Sequence, residues 1–308
     1  MRVSYKASAP GSLMLLGEHA VLHGRSALAC AVDTRMHVTL KMREDNEINI
    51  RSTLGKAKFT IENIEAGETL RFVTASITHY QGELKTGFDL DIHSEFTHQA
   101  GLGSSAAVTV ATCAALRASI KKSNKPAEIL EDSIAVIRDV QGVGSGADAA
   151  ASVYGGIVLF KSDPISAKKL QGTHPLTVIF SGTKVSTVEV VKEVDALHAR
   201  LPEEMDMVFD IMGKSAEHAA AAIEEGRWQT VGDLLNLNQG LMDGVGVSSG
   251  KLAGILYALR KDPGMLATKI SGSGRGDCVI GLGSPSLEAF SYQQLPLAIT
   301  SVGLTVTG

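Results

Sequence analysis

The pattern of apolar and polar positions divides the chain into a strand-rich first half and a helix-rich second half. Short β-branched or alternating runs, such as SLMLLG, MHVTLKM, EINIRS and FDLDIHSEF, predict strands in the first hundred residues. Apolar residues then recur at helical spacing over Ser104–Ser123, Pro126–Val140, Val188–Arg200, Met205–Glu225 and Gly250–Lys261. Because the strands and helices are mixed rather than strictly alternating, the pattern favours an α+β fold over a doubly wound sheet.

A turn-rich segment between residues 161 and 175, KSDPISAKKLQGTHP, marks the predicted domain boundary. The chain has 308 residues, which is enough for two domains of ordinary size. We therefore predict an N-terminal domain over residues 1–170 and a C-terminal domain over residues 171–308.

Composition and charge narrow the class of protein further. A net charge of −4 gives no reason to expect nucleic acid or an anionic membrane as a partner. The N-terminus lacks the apolar core of a signal peptide, so the predicted location is cytoplasmic. Cys30, Cys113 and Cys278 have no paired spacing, which predicts free, buried thiols.

Clustered glycines are the most informative local feature of the sequence. GLGSSAA (residues 101–107) lies between a predicted strand and a predicted buried helix. Glycines let backbone N–H groups turn toward a ligand, and a helix N-terminus adds unpaired donors, so this loop suits a phosphate group. Ser104 and Ser105 add hydroxyls that can reach a phosphate oxygen or Mg²⁺. The alternative is that the loop only caps the helix.

Two further glycine loops carry candidate chemistry. In GVGSGAD, Asp148 has alanine neighbours and little competing charge, so it could take a proton from a hydroxyl or hold a metal. Its alternative role is to cap a short helix. SGSGRGDC, residues 271–278, lies between strand-like segments and could equally be a hairpin turn.

Several other kinds of site are excluded by spacing. GLGSSA lies too far along the chain, and lacks the following acidic residue, for a dinucleotide-binding fold. The GKS at residues 213–215 lies in a helical pattern and lacks the glycine that a Walker loop needs. The histidines have no zinc-ligand spacing, and no Ser-His-acid set stands in a nucleophile-elbow context.

Taken in order, four segments resemble the GHMP kinase family, and within it the mevalonate kinases. APGSLMLLGEHAVLHG is similar to that branch's first motif, APGK-x₃-GEHAVV-x-G, and GLGSSAA matches the second motif in full. SGADAAASVYGG resembles the segment that bears the catalytic aspartate, and KISGSGRGDC resembles the third motif, K-x-TG-x-G-x-GGC. The resemblance covers almost the whole chain.

The resemblance implies a two-domain α+β kinase, with an N-terminal domain like ribosomal protein S5 and a C-terminal α/β sandwich. It implies ATP and Mg²⁺ as cofactors and a small alcohol as substrate, bound in the cleft between the domains. Asp148, with Ser12 beside it, would be the catalytic group, acting as base or as orienting anion. The implied nucleotide-binding residues are Gly101, Leu102, Gly103, Ser104, Ser105 and Ala106. The implied substrate-binding residues are Glu18, His19, Gly272, Ser273 and Gly274. Ser105, or as the second choice Ser104, would bind Mg²⁺.

This sequence departs from the family pattern at three positions near the implied reacting centre. Ser12 replaces a lysine, and Ile137 stands where the family has a magnesium-binding glutamate. Asp139, two residues later, is the candidate replacement metal ligand, although two helical residues turn it about 200° away. The final glycine pair of the third motif is replaced by Gly-Asp, which places Asp277 near the ligand.

Three functions remain open at this point. The chain could be a mevalonate kinase in which Lys6, Arg35 or Arg275 replaces the lysine missing at position 12. It could act on phosphomevalonate, homoserine, a sugar or another small alcohol. It could instead be a nucleotide-binding module that has lost most of its chemistry. Dimers are common among similar kinases, so a homodimer is also open.

Overall fold

Two β-sheets and the helices packed on them form the fold, which a computed structural model describes for residues 3–65, 67–96, 101–286 and 292–308. The strands are β1 (Ser4–Leu16), β2 (Ala27–Met42), β3 (Glu47–Ser52), β4 (Gly55–Thr60), β5 (Phe88–Ser94), β6 (Ile157–Ser162), β7 (Ile165–Leu170), β8 (Leu176–Phe180), β9 (Met265–Ser271), β10 (Cys278–Gly283), β11 (Gln294–Leu295) and β12 (Thr305–Thr307). The α-helices are α1 (Arg71–Tyr80), α2 (Ser104–Ser119), α3 (Pro126–Gln141), α4 (Ala147–Tyr154), α5 (Thr187–Arg200), α6 (Pro202–Glu224), α7 (Trp228–Gly244) and α8 (Gly250–Arg260).

The first sheet is built around the long strand β2. Its order is β12-β1-β2-β5-β3-β4, and β6 and β7 extend it from the start of β2. The first part of β2 pairs with β6 and the last part with β5, so this one strand joins both sections of the sheet. Alternating burial along β5 fits a sheet with one covered face.

Helix α2 is the central helix of this layer, and its small apolar residues allow nearly every face of it to be buried. It packs on β1 and β2, while α1, α3 and α4 pack against it. From Ala106 to Arg117 every residue except Val108 is buried, as the small apolar sequence predicts. Because alanine side chains are small, the helix can lie close to the sheet, and its packing on β1 and β2 fixes the position of its first residues.

The second sheet has the order β11-β8-β10-β9, and α7 and α8 pack on β9. The polypeptide then returns to the first sheet, where β12 pairs with β1. A domain boundary near residue 170 stays a prediction. The strands through Leu170 lie in the first sheet, and those from Leu176 to Leu295 lie in the second. No helix in the described part of the chain is long and apolar enough to cross a membrane.

The predicted α+β class is confirmed, but some elements differ from the sequence-based expectation. Helix α1 was not predicted because β-branched residues such as Val73 and Ile77 lower its helix propensity. Its buried face packs on α2, and this tertiary contact outweighs the propensity. Strand β7 lies in the segment predicted as turn, because its exposed face gives no alternating signal.

Candidate active site

The three glycine loops and the end of β1 enclose one cavity of ≈ 220 Å³ between the two sheets. Hydrogen bonds hold the two sides of this cleft together. Ser271 Oγ donates to the Met14 carbonyl at 2.9 Å, and Ser26 Oγ donates to Glu217 Oε1 at 2.7 Å. The cavity is therefore part of a packed interface, and residues far apart in the sequence meet there.

The loop of residues 101–106 lines the cavity in full, so the structure brings together all six predicted nucleotide-binding residues. Gly103 precedes the first turn of α2 with φ +66°, and no side chain caps that helix. The hydroxyls of Ser104 and Ser105 form no hydrogen bond with the described residues, and both residues line the cavity. Gly103 itself is the N-cap residue, and no described side chain bonds the first N–H groups of α2, so these groups remain available to an anion; the nucleotide-binding role stays a prediction.

Asp148 and Ser12 meet at the cavity although 136 positions separate them: Ser12 Oγ donates to Asp148 Oδ1 at 2.7 Å. Asp148 is the second residue of α4 and Gly146 holds the N-cap position, so Asp148 does not cap this helix; Ser145 Oγ accepts from the Ala147 N–H at 3.2 Å instead. Burial raises the pKa of the Asp148 carboxyl, the Ser12 hydrogen bond opposes that rise, and the charge of Glu18 adds to it. A carboxylate that has been desolvated in this way is a stronger base than an exposed one.

Ser12 also contacts the loop of residues 101–106. Its backbone N–H donates to the Leu102 carbonyl at 3.0 Å. A Cβ added at Gly103 would lie 1.9 Å from Ser12 Oγ. The loop, Ser12 and Asp148 therefore form one contiguous group.

Glu18 and His19 line the cavity as predicted, but both are held by the second half of the chain. The buried Lys269 ammonium forms an ion pair with Glu18 Oε1, and Asn238 Nδ2 donates to Glu18 Oε2 at 3.2 Å. His19 adopts φ +61° and lies 2.9 Å, through Nε2, from the Ser273 carbonyl. Burial lowers the pKa of His19, so the neutral ring carries its proton on Nε2 and donates it to that carbonyl.

Only part of the third glycine loop lines the cavity. Gly272 and Ser273 line the cavity, but Gly274 does not, because it packs against Val247. Asp277 lines the cavity and adopts φ +62°, and its Oδ1 is buried without a hydrogen-bond partner among the described residues. The glycine at position 101 leaves the space that the Asp277 carboxyl fills, since a Cβ there would lie 2.4 Å from Asp277 Cγ.

The predicted metal ligand Asp139 requires a correction. It is exposed on α3 and does not line the cavity, whereas Ile137 does. The cause is helical geometry, since two residues along a helix turn a side chain to another face. Within the described residues no group of three or more His, Cys, Asp or Glu is placed to hold a metal ion. Oxygen-bearing side chains that do line the cavity include Ser104, Ser105, Asp148 and Asp277.

The three cations suggested for the missing lysine do not reach the cavity either. Lys6 lies on β1 at its pairing with β12, and Arg35 is bound to Ser8 and to the Gly303 carbonyl. Arg275 pairs with Glu193. Lys184 also lines the cavity, although nothing in the loop SGTKVST predicts that this side chain turns toward the first sheet.

Comparison with known proteins identifies the family. Residues 70–156 match the family described as GHMP kinases N terminal domain, and residues 219–295 match GHMP kinases C terminal. A mevalonate kinase of Thermococcus sibiricus is 33% identical over 295 residues, which cover 90% of this chain and 88% of that protein. A mevalonate kinase of Archaeoglobus fulgidus is 34% identical over 278 residues, with coverage of 90% and 91%. The crystal structure of a Listeria innocua protein has the same fold, with a TM-score of 0.88 at 22% identity over 99% of both chains. The chain thus belongs to the mevalonate kinase family of the GHMP kinases.

Proposed function

We propose that this protein transfers the γ-phosphoryl group of ATP to the 5-hydroxyl of mevalonate, with Mg²⁺ as the cofactor. The observation that carries the proposal is the contiguous group of Asp148, Ser12 and the loop of residues 101–106. It combines a desolvated base with free helix N–H groups in one cavity. The mevalonate kinases among its relatives support the choice of acceptor.

In this reaction the chain mainly positions groups and stabilises charge. The substrate hydroxyl lies beside Asp148, and its oxygen forms a bond to the γ-phosphorus while the bond from that phosphorus to the bridging oxygen of ADP breaks. The hydroxyl proton passes to the Asp148 carboxylate. Ser12 holds that carboxylate in place through its hydrogen bond, and the N–H groups at the start of α2 stabilise the phosphate oxygens.

The oxygen donors of the cavity fit Mg²⁺, which prefers one or two carboxylates with further oxygens from phosphates and water. The hydroxyl of Ser105, with that of Ser104 nearby in the same cavity, would hold the ion together with phosphate oxygens and water. Bound there, Mg²⁺ supplies neutralisation of the phosphate charge during transfer.

The test is a phosphorylation assay with the purified protein, ATP and Mg²⁺ on mevalonate, phosphomevalonate, homoserine and galactose. We expect turnover on mevalonate with the phosphate on its 5-hydroxyl. Turnover on another alcohol, but not on mevalonate, would change the proposed acceptor and would still support a kinase activity. Nucleotide binding without turnover on any of them would favour a binding module, which the buried, desolvated Asp148 argues against. A homodimer and a cytoplasmic location stay predictions.

Substitution of Gly103 by alanine should impair the reaction more than its backbone strain alone would. The new methyl group would meet Ser12 Oγ at 1.9 Å and displace it from Asp148. We expect kcat to fall by at least about tenfold, which corresponds to the loss of one hydrogen bond. Gly226→Ala is the matched control, because Gly226 has φ +71° and no neighbour within 4 Å of its added Cβ. Equal effects of the two variants would contradict the proposed contact.

Ser12→Ala should shift the pH dependence of kcat. The Asp148 base works when it is ionised, so activity is present above its pKa in the complex and is lost as the pH falls through it. The Ser12 hydrogen bond lowers that pKa, and its removal lets burial raise it further. We therefore expect the acidic limb of the profile to move to higher pH. Ser119→Ala, which removes a hydroxyl bound to the Leu116 carbonyl at the far end of α2, should leave the limb in place.

A further inference from the structure

The cavity holds little positive charge for a site that is to receive a nucleoside triphosphate. Asp148 and Asp277 line it, and Glu18 is already paired with Lys269. Among the described residues that line the cavity, Lys184 is the only lysine or arginine. The position that carries a lysine in the family pattern is the uncharged Ser12.

The backbone around Lys184 is fixed to the third glycine loop. Ser181 N–H donates to the Asp277 carbonyl, and Asp277 N–H donates to the Thr183 carbonyl, each at 2.8 Å. The Lys184 side chain is exposed and forms no ion pair or hydrogen bond with the described residues. A flexible ammonium on an anchored backbone can reach an anionic ligand that enters the cavity.

Asp277 has features that the isolated fold does not explain. Its backbone lies in the left-handed region, which is costly for a residue other than glycine, and its buried Oδ1 has no hydrogen-bond partner in the part of the chain that the structure describes. Burial raises the pKa of this carboxyl, while the charge of Lys184 opposes the rise and that of Asp148 adds to it. Lys184, whose charge acts on Asp277, lines the same cavity.

We propose that Lys184 supplies, from the second half of the chain, the positive charge that a lysine at position 12 supplies in the family pattern, and that Asp277 positions it at the transferred phosphate. The inference rests on the proposed kinase function. It explains how the reacting centre works with Ser12, and it gives the unpartnered Asp277 oxygen a role.

The first experiment compares the wild type with Lys184→Met and Lys184→Arg. Kinetics on mevalonate give kcat and KM, and titration with fluorescently labelled ATP and ADP gives Kd. We expect Lys184→Met to lower kcat by about 10- to 100-fold, the size of a lost charged hydrogen bond. It should also weaken ATP binding more than ADP binding, because the contact is with the γ-phosphate. Lys184→Arg should retain part of the rate.

Lys251→Met is the matched control for Lys184→Met. The Lys251 ammonium lies beside Gly182 of the same loop, but Lys251 does not line the cavity. We expect it to change neither kcat nor nucleotide binding by more than about twofold. Equal effects of the two lysine substitutions, or a Lys184→Met variant within threefold of wild type, would overturn the proposal.

Rescue and coupling supply the remaining tests. Ser12→Lys added to Lys184→Met should recover at least tenfold of the lost kcat, because it restores the charge from the family's position. Asp277→Asn should lower kcat in the wild type and have no further effect in Lys184→Met; additive losses would overturn its positioning role.

If the wild type does not phosphorylate mevalonate, the proposed function fails by itself. The ATP-over-ADP comparison then decides whether Lys184 binds the terminal phosphate.

Discussion

Asp148→Asn is expected to lower kcat on mevalonate by about 10²- to 10⁴-fold, the usual contribution of a general base. Asparagine has the same shape and can still accept the Ser12 hydrogen bond through its amide oxygen, so the cavity should keep its form. The amide cannot take up the hydroxyl proton at neutral pH. ATP affinity should stay within about twofold, because the free N–H groups at the start of α2 are untouched.

The control for this variant is Asp139→Asn. Asp139 is exposed on α3 and does not line the cavity, so its neutralisation should leave kcat and the Mg²⁺ requirement unchanged. Steady-state kinetics give kcat for both variants, and nucleotide titration gives their ATP affinity. If Asp148→Asn lost ATP binding along with turnover, Asp148 would be a structural or metal-binding group rather than the base. A loss of activity in Asp139→Asn would reinstate the metal role that the geometry does not support.

The second large effect concerns stability. Lys269→Met should lower the free energy of unfolding by about 3–5 kcal/mol, because it leaves the buried Glu18 carboxylate without its cation. For a chain of this size that corresponds to a fall of roughly 6–20 °C in the unfolding midpoint. Calorimetry or thermal unfolding followed by circular dichroism measures it.

Two further variants separate the cost of an unpaired charge from the loss of the pair. Glu18→Gln combined with Lys269→Met removes both charges and should be closer to wild type than Lys269→Met alone. Lys168→Met breaks the exposed bridge to Glu224, 2.9 Å long, and should cost at most about 1 kcal/mol. If the single and double variants were equally unstable, the loss would come from packing around Lys269 rather than from charge.

The parts of the site that could be predicted are those in which short-range sequence dictates the chemistry. GLGSSAA and Asp148 were candidates because glycines before a small-residue helix suit a phosphate and an acid among alanines can take up a proton, and the family resemblance implied their roles. The structure brings Ser12 to the same place. The hydrogen bond between Ser12 and Asp148 could not be predicted from the sequence, because it depends on how β1 packs against the start of α4.

The parts that could not be predicted depend on how the two halves of the chain meet. Lys269 lies in a recognised motif, yet its ion pair with Glu18 crosses 251 positions and follows from the packing of β9 against the end of β1. Lys184 reaches the cavity because Asp277 anchors its loop. Asp139 was placed wrongly because the helix that carries it continues through Gln141, so it keeps its outward direction.

The pairing of β12 with β1 also bears on how the protein forms during synthesis. Lys6, Ala7 and Ser8 pair with β2 on one side, but on the other side their partners are residues 305–307, so this edge of the first sheet stays open while the intervening chain is translated. An open edge offers unpaired N–H and C=O groups to other nascent chains. The first sheet is therefore completed only after all strands of the second sheet have been synthesised, and the strand that carries Ser12 keeps one open edge until then.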